Sequence, residues 1–183
     1  APSPVSPVTG LSAPVTVTGT YKTQYQLTVT SAFGTPSGDG WYDSGATPTA
    51  GVSVGSIDHG NGTQHVFTSW GTDASGTVYS ASNPITMNAP KTATANWKTQ
   101  FLVTFDQSGL SSDASGAVAT VGGVAKVFGD LPFTVWVDAS SGSVTYGYTA
   151  TVSSSVTGKQ YVLTTPAPSP VSPVTGLSAP VTV

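Results

Sequence analysis

Asp58, His59 and His65 place two imidazoles and a carboxylate within one stretch of eight residues. Imidazole is a common transition-metal ligand, so these three are the chain's candidates for a metal site. The stretch DHGNGT at residues 58–63 nevertheless has the composition of a turn, and no motif with typed metal spacing is present. A loop is therefore the expected use, with no metal and no cofactor. The aspartates are scattered singly, which gives no carboxylate pair for general acid–base work, and no Ser-His-Asp set can be drawn. No catalytic residue is expected, and the chain does not read as an enzyme. Asn61-Gly62-Thr63 is an N-glycosylation acceptor sequence and falls in the expected turn. Trp41, Trp70, Trp97 and Trp136 could form a stacking platform for sugars. With so little aliphatic bulk around them, core anchors are the favoured use, and Tyr21 joins them because it takes the register of Trp97.

The elements that would hold these residues must be built without charge. Charged residues make up 7% of the 183, against roughly 25% in an ordinary globular domain. Every base is a lysine and every acid an aspartate, so Ser, Thr, Gly, Asn and Gln must keep the surface wet. Low charge of this kind suits a protein that is assembled or glycosylated. The net charge of −3 and the lack of a basic cluster argue against nucleic acid. No apolar run reaches the roughly 18 residues of a membrane span, so no membrane insertion is expected. There is no cysteine, hence no disulfide framework or thiolate site. No initiator Met, signal peptide or tag is present, and the chain reads as a mature fragment or an interior slice.

One segment organises the rest. Residues 1–17 and residues 167–183 are both APSPVSPVTGLSAPVTV, which sets a period of about 166 residues. The prolines remove amide donors and favour an extended or edge conformation. From residue 13 the pattern alternates strictly, with Val15, Val17, Tyr21, Tyr25, Leu27 and Val29 on one face. This junction recurs without a gap: residues 13–29 (APVTVTGTYKTQYQLTV) align with residues 89–105 (APKTATANWKTQFLVTF), and APVTV returns at 179–183. Two unlike modules therefore alternate, joined by near-continuous strands at the Lys-Thr-Gln sequence.

Turn-rich stretches separate short β-rich runs throughout, including a Gly122-Gly123 hairpin and strands expected near residues 78–80 and 84–87. No stretch has helical periodicity with a cap. The expected fold is all-β with essentially no helix, as two small β-sandwich or β-grasp-like, Ig-like modules in tandem. Residues 1–21 form a linking or donor strand that completes a neighbouring module, 22–97 the first module, and 98–183 the second, including the repeated terminal strand 167–183.

The runs YQLTV (25–29), GWYDSG (40–45), VFTSW (66–70), NPIT (83–86) and TATANW (92–97) resemble the internalin B-repeat-like modules of surface proteins. FLVTF (101–105), Gly109-Leu110 and LPFTVW (131–136) resemble repeats that alternate with such modules in archaeal cell-surface proteins. The resemblance implies tandem structural modules at the cell surface and carries no catalytic residue. The Pro-rich lead into each Ala-Pro-Val-Thr-Val strand departs from that family's pattern.

The function expected is structural: the repeat unit of an extracellular filament or surface fibre, whose partners are copies of itself. Units would be linked either as a tandem array or by strand donation, with Val5, Val8, Val15 and Val17 as the linking side chains and Val171, Val174, Val181 and Val183 as their counterparts. Val181 and Val183 are expected against residues 101–163. The alternative is an adhesin or glycan-binding stalk. With few ion pairs expected, stability should vary little with pH.

Overall fold

A computed structural model describes residues 7–164 and 172–183. Val5 and Val171 lie outside the described residues. Strands dominate, and the single helical element among the described residues is a short 3-10 turn at Phe128–Asp130. The first six strands are β1 (Gln24–Ser31), β2 (Pro36–Ser37), β3 (Gly40–Asp43), β4 (Gly51–Val52), β5 (Ser56–Asp58) and β6 (Thr63–Thr72). Then come β7 (Lys91–Phe105), β8 (Ala114–Ser115), β9 (Ala119–Val121), β10 (Val124–Lys126), β11 (Phe133–Asp138) and β12 (Ser143–Val144). The chain ends with β13 (Tyr146–Tyr148), β14 (Thr151–Ser154), β15 (Gln160–Val162), β16 (Val174–Thr175) and β17 (Val181–Thr182). The fold is all-β with several sheets, as the alternation predicts.

Two compact units are present. The first comprises Ala1–Ser31, Thr35–Ser53 and Ser69–Ala95; the second comprises Ala32–Gly34, Val54–Thr68 and Asn96–Val183. In the first unit β1 is central. It pairs antiparallel with β3 (Gln24 opposite Asp43) and parallel with the start of β7 (Leu27 opposite Lys91, through Ser31 opposite Ala95). Its period-two pattern sends Leu27 and Val29 inward and leaves Gln26 and Thr28 outside. Val52, Trp70, Ile85, Met87, Ala93 and Ala95 are buried in the same unit. The Trp70 indole also donates to the Val78 carbonyl at 3.0 Å, which satisfies its one polar atom.

In the second unit the later part of β7 takes the central place. It pairs antiparallel with β11 (Gln100 opposite Asp138) and parallel with β17 (Val103 opposite Val181). Val103, Phe105, Val121, Val137, Val144 and Val174 form its core. β9 pairs with β10 through Gly122 and Gly123, both at positive φ, the backbone a two-residue primed turn demands.

The two units repeat one design. Lys22 and Gln24 hold Asp43 at 2.9 and 2.7 Å. Lys98 and Gln100, their counterparts in the duplicated junction, hold Asp138 at 3.0 and 2.5 Å. The parallel register is also the same, because Leu27 and Val103 are equivalent in the alignment, as are Lys91 and Val181. Each unit is thus a first strand, an antiparallel neighbour carrying a clamped aspartate, and a parallel closing strand.

Two expectations from the sequence are corrected. Residues 78–80 and 84–87 are not strands. Ile85 donates to the Pro48 carbonyl and Met87 to that of Ala46, at 2.8 and 2.9 Å. Pro48 has no amide with which to answer, so a continuous ladder does not form there. The second correction concerns charge. Lys22, Lys91, Lys98 and Lys159 pair with Asp43, Asp73, Asp138 and Asp113, and Lys126 lies 3.6 Å from the centre of the Phe133 ring.

All four paired aspartates are held below the usual carboxylate range. Asp43 is lowered by Lys22 and then Gln24, Asp73 by the Thr92 amide and then Lys91, and Asp138 by Lys98 and then Gln100. Asp113 is lowered furthest, by the Ser154 hydroxyl, then Tyr161 and Lys159. A carboxylate whose folded pKa is depressed adds stability above its unfolded pKa and loses it as pH falls through the folded value. The melting temperature should therefore hold from pH 7 to about pH 5 and fall progressively below about pH 4. Asp113→Asn should flatten part of that fall. A profile level down to pH 2 would contradict the pairing.

Candidate interface formed by the repeated segment

The repeated segment stands in two environments within one chain. Its copy in the second unit is built in. Val174 pairs with Val144 and is 1% exposed, and the Tyr146 amide donates to the Ser172 hydroxyl at 3.0 Å. Leu177, Val181 and Val183 pack against the Val103–Phe105 core. The Val183 amide donates to the Thr104 carbonyl at 2.8 Å, and the Asp106 amide to the Val183 carbonyl at 3.1 Å. The Tyr148 hydroxyl lies within hydrogen-bond distance of the Asp106 and Val183 carbonyls, at 2.6 and 3.1 Å. Burial raises the pKa of this phenol, so it stays a neutral donor.

A loop holds the segment from outside. Gly62 lies at φ +76°, and a Cβ placed on it would come within 2.8 Å of the Pro180 ring. The same glycine accepts from the Leu102 amide at 2.8 Å. Only a residue without a side chain lets the loop lie this close over proline.

Among the described residues, the other copy has none of these partners. Every described residue from 7 to 24 is exposed. Val8, the twin of Val174, is 38% exposed; Val15 and Val17, the twins of Val181 and Val183, are 48% and 50% exposed. The same apolar side chains are therefore covered in one place and bare in the other.

The remaining residues singled out in the sequence are placed as follows. His59 Nε2 and His65 Nδ1 are 2.9 Å apart, and the Phe33 ring stacks on His65 with centroids 3.9 Å apart. Burial, and then the neighbouring His59, lower the pKa of His65, which favours the neutral form of that ring. Asp58 does not converge on them; its carboxylate accepts the Gly60 amide at 2.8 Å and closes the turn. Among the described residues, no group of three or more His, Cys, Asp or Glu could hold a metal. Asn61 is exposed, with its side-chain oxygen on the Thr63 amide.

Trp70 is buried, and Trp97 and Trp136 are half-buried, with Trp97 edge-on to Phe33 and Phe67. Trp41 and Tyr21 are not core residues: they are 65% and 94% exposed. Trp41 sits opposite the exposed Gln26, on the face of β1 that Leu27 and Val29 do not use, so strand alternation turns it to solvent. Tyr21 precedes β1 in the uncovered segment. Sequence reasoning missed Asp43 and Asp138 as clamp partners and Gly62 as the cover over Pro180. The repeated Lys-Thr-Gln was a signal for the clamp, whereas nothing in a turn composition distinguishes Gly62 from its neighbours.

Comparison with protein-family models, curated proteins and solved structures found no match.

Proposed function

We propose that this chain is the structural repeat unit of an extracellular filament or surface fibre, linked end to end by its duplicated segment. The observation that carries this reading is the shared parallel register. Lys91 closes the first unit opposite Leu27, and Val181 closes the second opposite Val103. Val15 occupies the same position of the junction, so residues 15–17 form a closing strand that belongs to the second unit of another copy. Val8 and Leu11 would then occupy the places that Val174 and Leu177 show in this chain. Strand addition of this kind satisfies backbone donors and acceptors along an edge and buries alternate side chains. A tandem array and a strand-exchanged chain of subunits use the same contact. The extracellular placement is supported by a surface built from hydroxyl and amide groups with 7% charge, and by the resemblance to surface repeats.

Imaging of the native material tests the reading. Fibres are expected. In denaturant they should fall to chains the size of one repeat, carrying a single copy of the segment, if subunits exchange strands, or persist as a giant species if the repeat is covalent. Native material made of discrete, unassembled particles would overturn it.

One observation favours a second reading as a glycan-binding stalk. Trp41 is exposed beside the turn at residues 44–46, where a flat aromatic face is open to a sugar ring. In that case a glycan array should detect binding by the repeat, and Trp41→Ala should abolish it with no change in melting temperature. An array with no signal dismisses the stalk reading.

A further inference from the structure

The second unit has an open pocket of about 490 Å3 beside the end of its closing strand, lined by Gln107, Leu110, Val118, Val152, Tyr161 and Val183, among others. We propose that this pocket is a socket for the Tyr21 side chain of the following copy. The inference rests on the repeat reading above and adds to it the side chain that locks one copy to the next.

The first unit supplies the template. Its parallel ladder does not stop at Ala93, the counterpart of Val183, but continues with Thr94 opposite Thr30 and Ala95 opposite Ser31. Applied to the second unit, that register places the next two residues opposite Asp106 and Gln107. In the repeat those residues are Thr18 and Gly19, and Tyr21 follows two positions later. Side chains alternate along a strand, so Val17, Gly19 and Tyr21 share a face just as Ala93, Ala95 and Trp97 do. Ala93 and Ala95 are buried, and Val183 lines the pocket. The face that carries Tyr21 is therefore the face that looks into the pocket.

The distance and the chemistry also agree. Four extended residues beyond Val183 span about 13 Å, which brings Tyr21 past Gln107 to the level of Gly109, next to Leu110. Trp97, the counterpart of Tyr21, packs edge-on to Phe33, which stands just past Ser31. Gly109 is the counterpart of Phe33 and has no side chain, and Leu110, the next residue, lines the pocket. The pocket offers an apolar wall from Leu110, Val118 and Val152, while Gln107 and Asp106 give a phenolic hydroxyl polar neighbours. A 94% exposed tyrosine and an open apolar pocket thus lie at matching positions of one repeat.

The test uses a two-copy chain: residues 1–183 followed directly by residues 18–183, the phase that the repeat dictates. Tyrosine nitration is followed by mass spectrometry after trypsin. The first-copy Tyr21 appears in the peptide of residues 1–22. The second-copy Tyr21 appears in a longer peptide that begins at Gln160 of the first copy, so the two are read separately. The second should be nitrated at least about tenfold more slowly, as expected for a buried and locally stable site. Equal rates would overturn the socket. Hydrogen exchange at the first-copy Val183 amide separates the two levels of the argument. If that amide stays protected while both tyrosines react equally, only the socket falls. If protection is lost as well, the closing-strand reading falls with it.

Discussion

A chain ending at Thr164 should assemble head to tail, whereas the chain of residues 1–183 should remain single. Removing residues 165–183 strips Val174, Leu177, Val181 and Val183 from the second unit's core. Full burial of a valine or leucine contributes about 1.5–3 kcal/mol. With Val174 fully covered and the other three half-covered, the loss is on the order of 5 kcal/mol, a large share of the roughly 5–15 kcal/mol that holds a domain folded. It also leaves bare the β7 edge at Val103 and Thr104 and the β12 edge at Ser143 and Val144. Residues 7–17 of another molecule carry the same side chains in the same order, exposed and ready to fill that gap.

In the complete chain this exchange gains nothing. The incoming segment is identical to the one it would displace, and the resident segment is tethered at an effective concentration that reaches the millimolar range for short linkers. Sedimentation velocity should therefore show a concentration-dependent series of polymers for residues 1–164 and one species for residues 1–183. A third chain, residues 18–164, lacks both copies and should neither polymerise nor reach the melting temperature of the complete chain. The free peptide of residues 1–17 should restore that melting temperature and should cap the polymers of residues 1–164. If residues 1–164 stay monomeric at about 1 mM while folded, or if residues 18–164 polymerise equally well, the segment is not the link.

The sequence revealed the fold class because alternation is a local property. Leu27 and Val29 point inward and Gln26 and Thr28 outward, as the pattern in residues 24–31 requires. It also revealed the repeated segment and the junction it leads into, since identical or gaplessly aligned strings need no geometry to be recognised. The docking of Val181 and Val183 followed from that, because equivalent strands take equivalent registers. What the sequence hid was pairwise. Nothing in the spacing of Lys98 and Asp138, forty residues apart, says that they meet. A count of charges therefore suggested a surface with little to lose in acid, where the fold places four ion pairs. Trp41 failed for a related reason: an aromatic residue in a turn-rich stretch gives no sign of which face it will take. The period-two rule settles that only once Gln26 is known to lie opposite it. Proline did the rest, since Pro48 and Pro84 leave extended, β-branched residues without a ladder to join.

Gly60 and Gly62 allow the grip on the closing strand to be measured inside one loop. Both lie in the left-handed region, at φ +71° and +76°. Replacing either with alanine forces an L side chain into a conformation that costs about 1 kcal/mol. A Cβ on Gly60 meets nothing within 4 Å, so Gly60→Ala should show that backbone cost alone. A Cβ on Gly62 meets Pro180 Cγ at 2.8 Å and Cβ at 2.9 Å, so the proline and the strand behind it must shift. Overpacking of this kind adds about 1–3 kcal/mol, for a total near 2–4 kcal/mol in Gly62→Ala. The excess of Gly62→Ala over Gly60→Ala in chemical denaturation is the expected result. It should shrink in a Pro180→Gly background, where the opposing atoms are gone, and the double-mutant cycle isolates that coupling from the cost of the glycine itself. Hydrogen exchange at the Val183 amide should quicken in Gly62→Ala and stay unchanged in Gly60→Ala, because only the former loosens the strand. Equal losses for the two substitutions would mean that Gly62 is there for its backbone alone and that the loop does not clamp the segment.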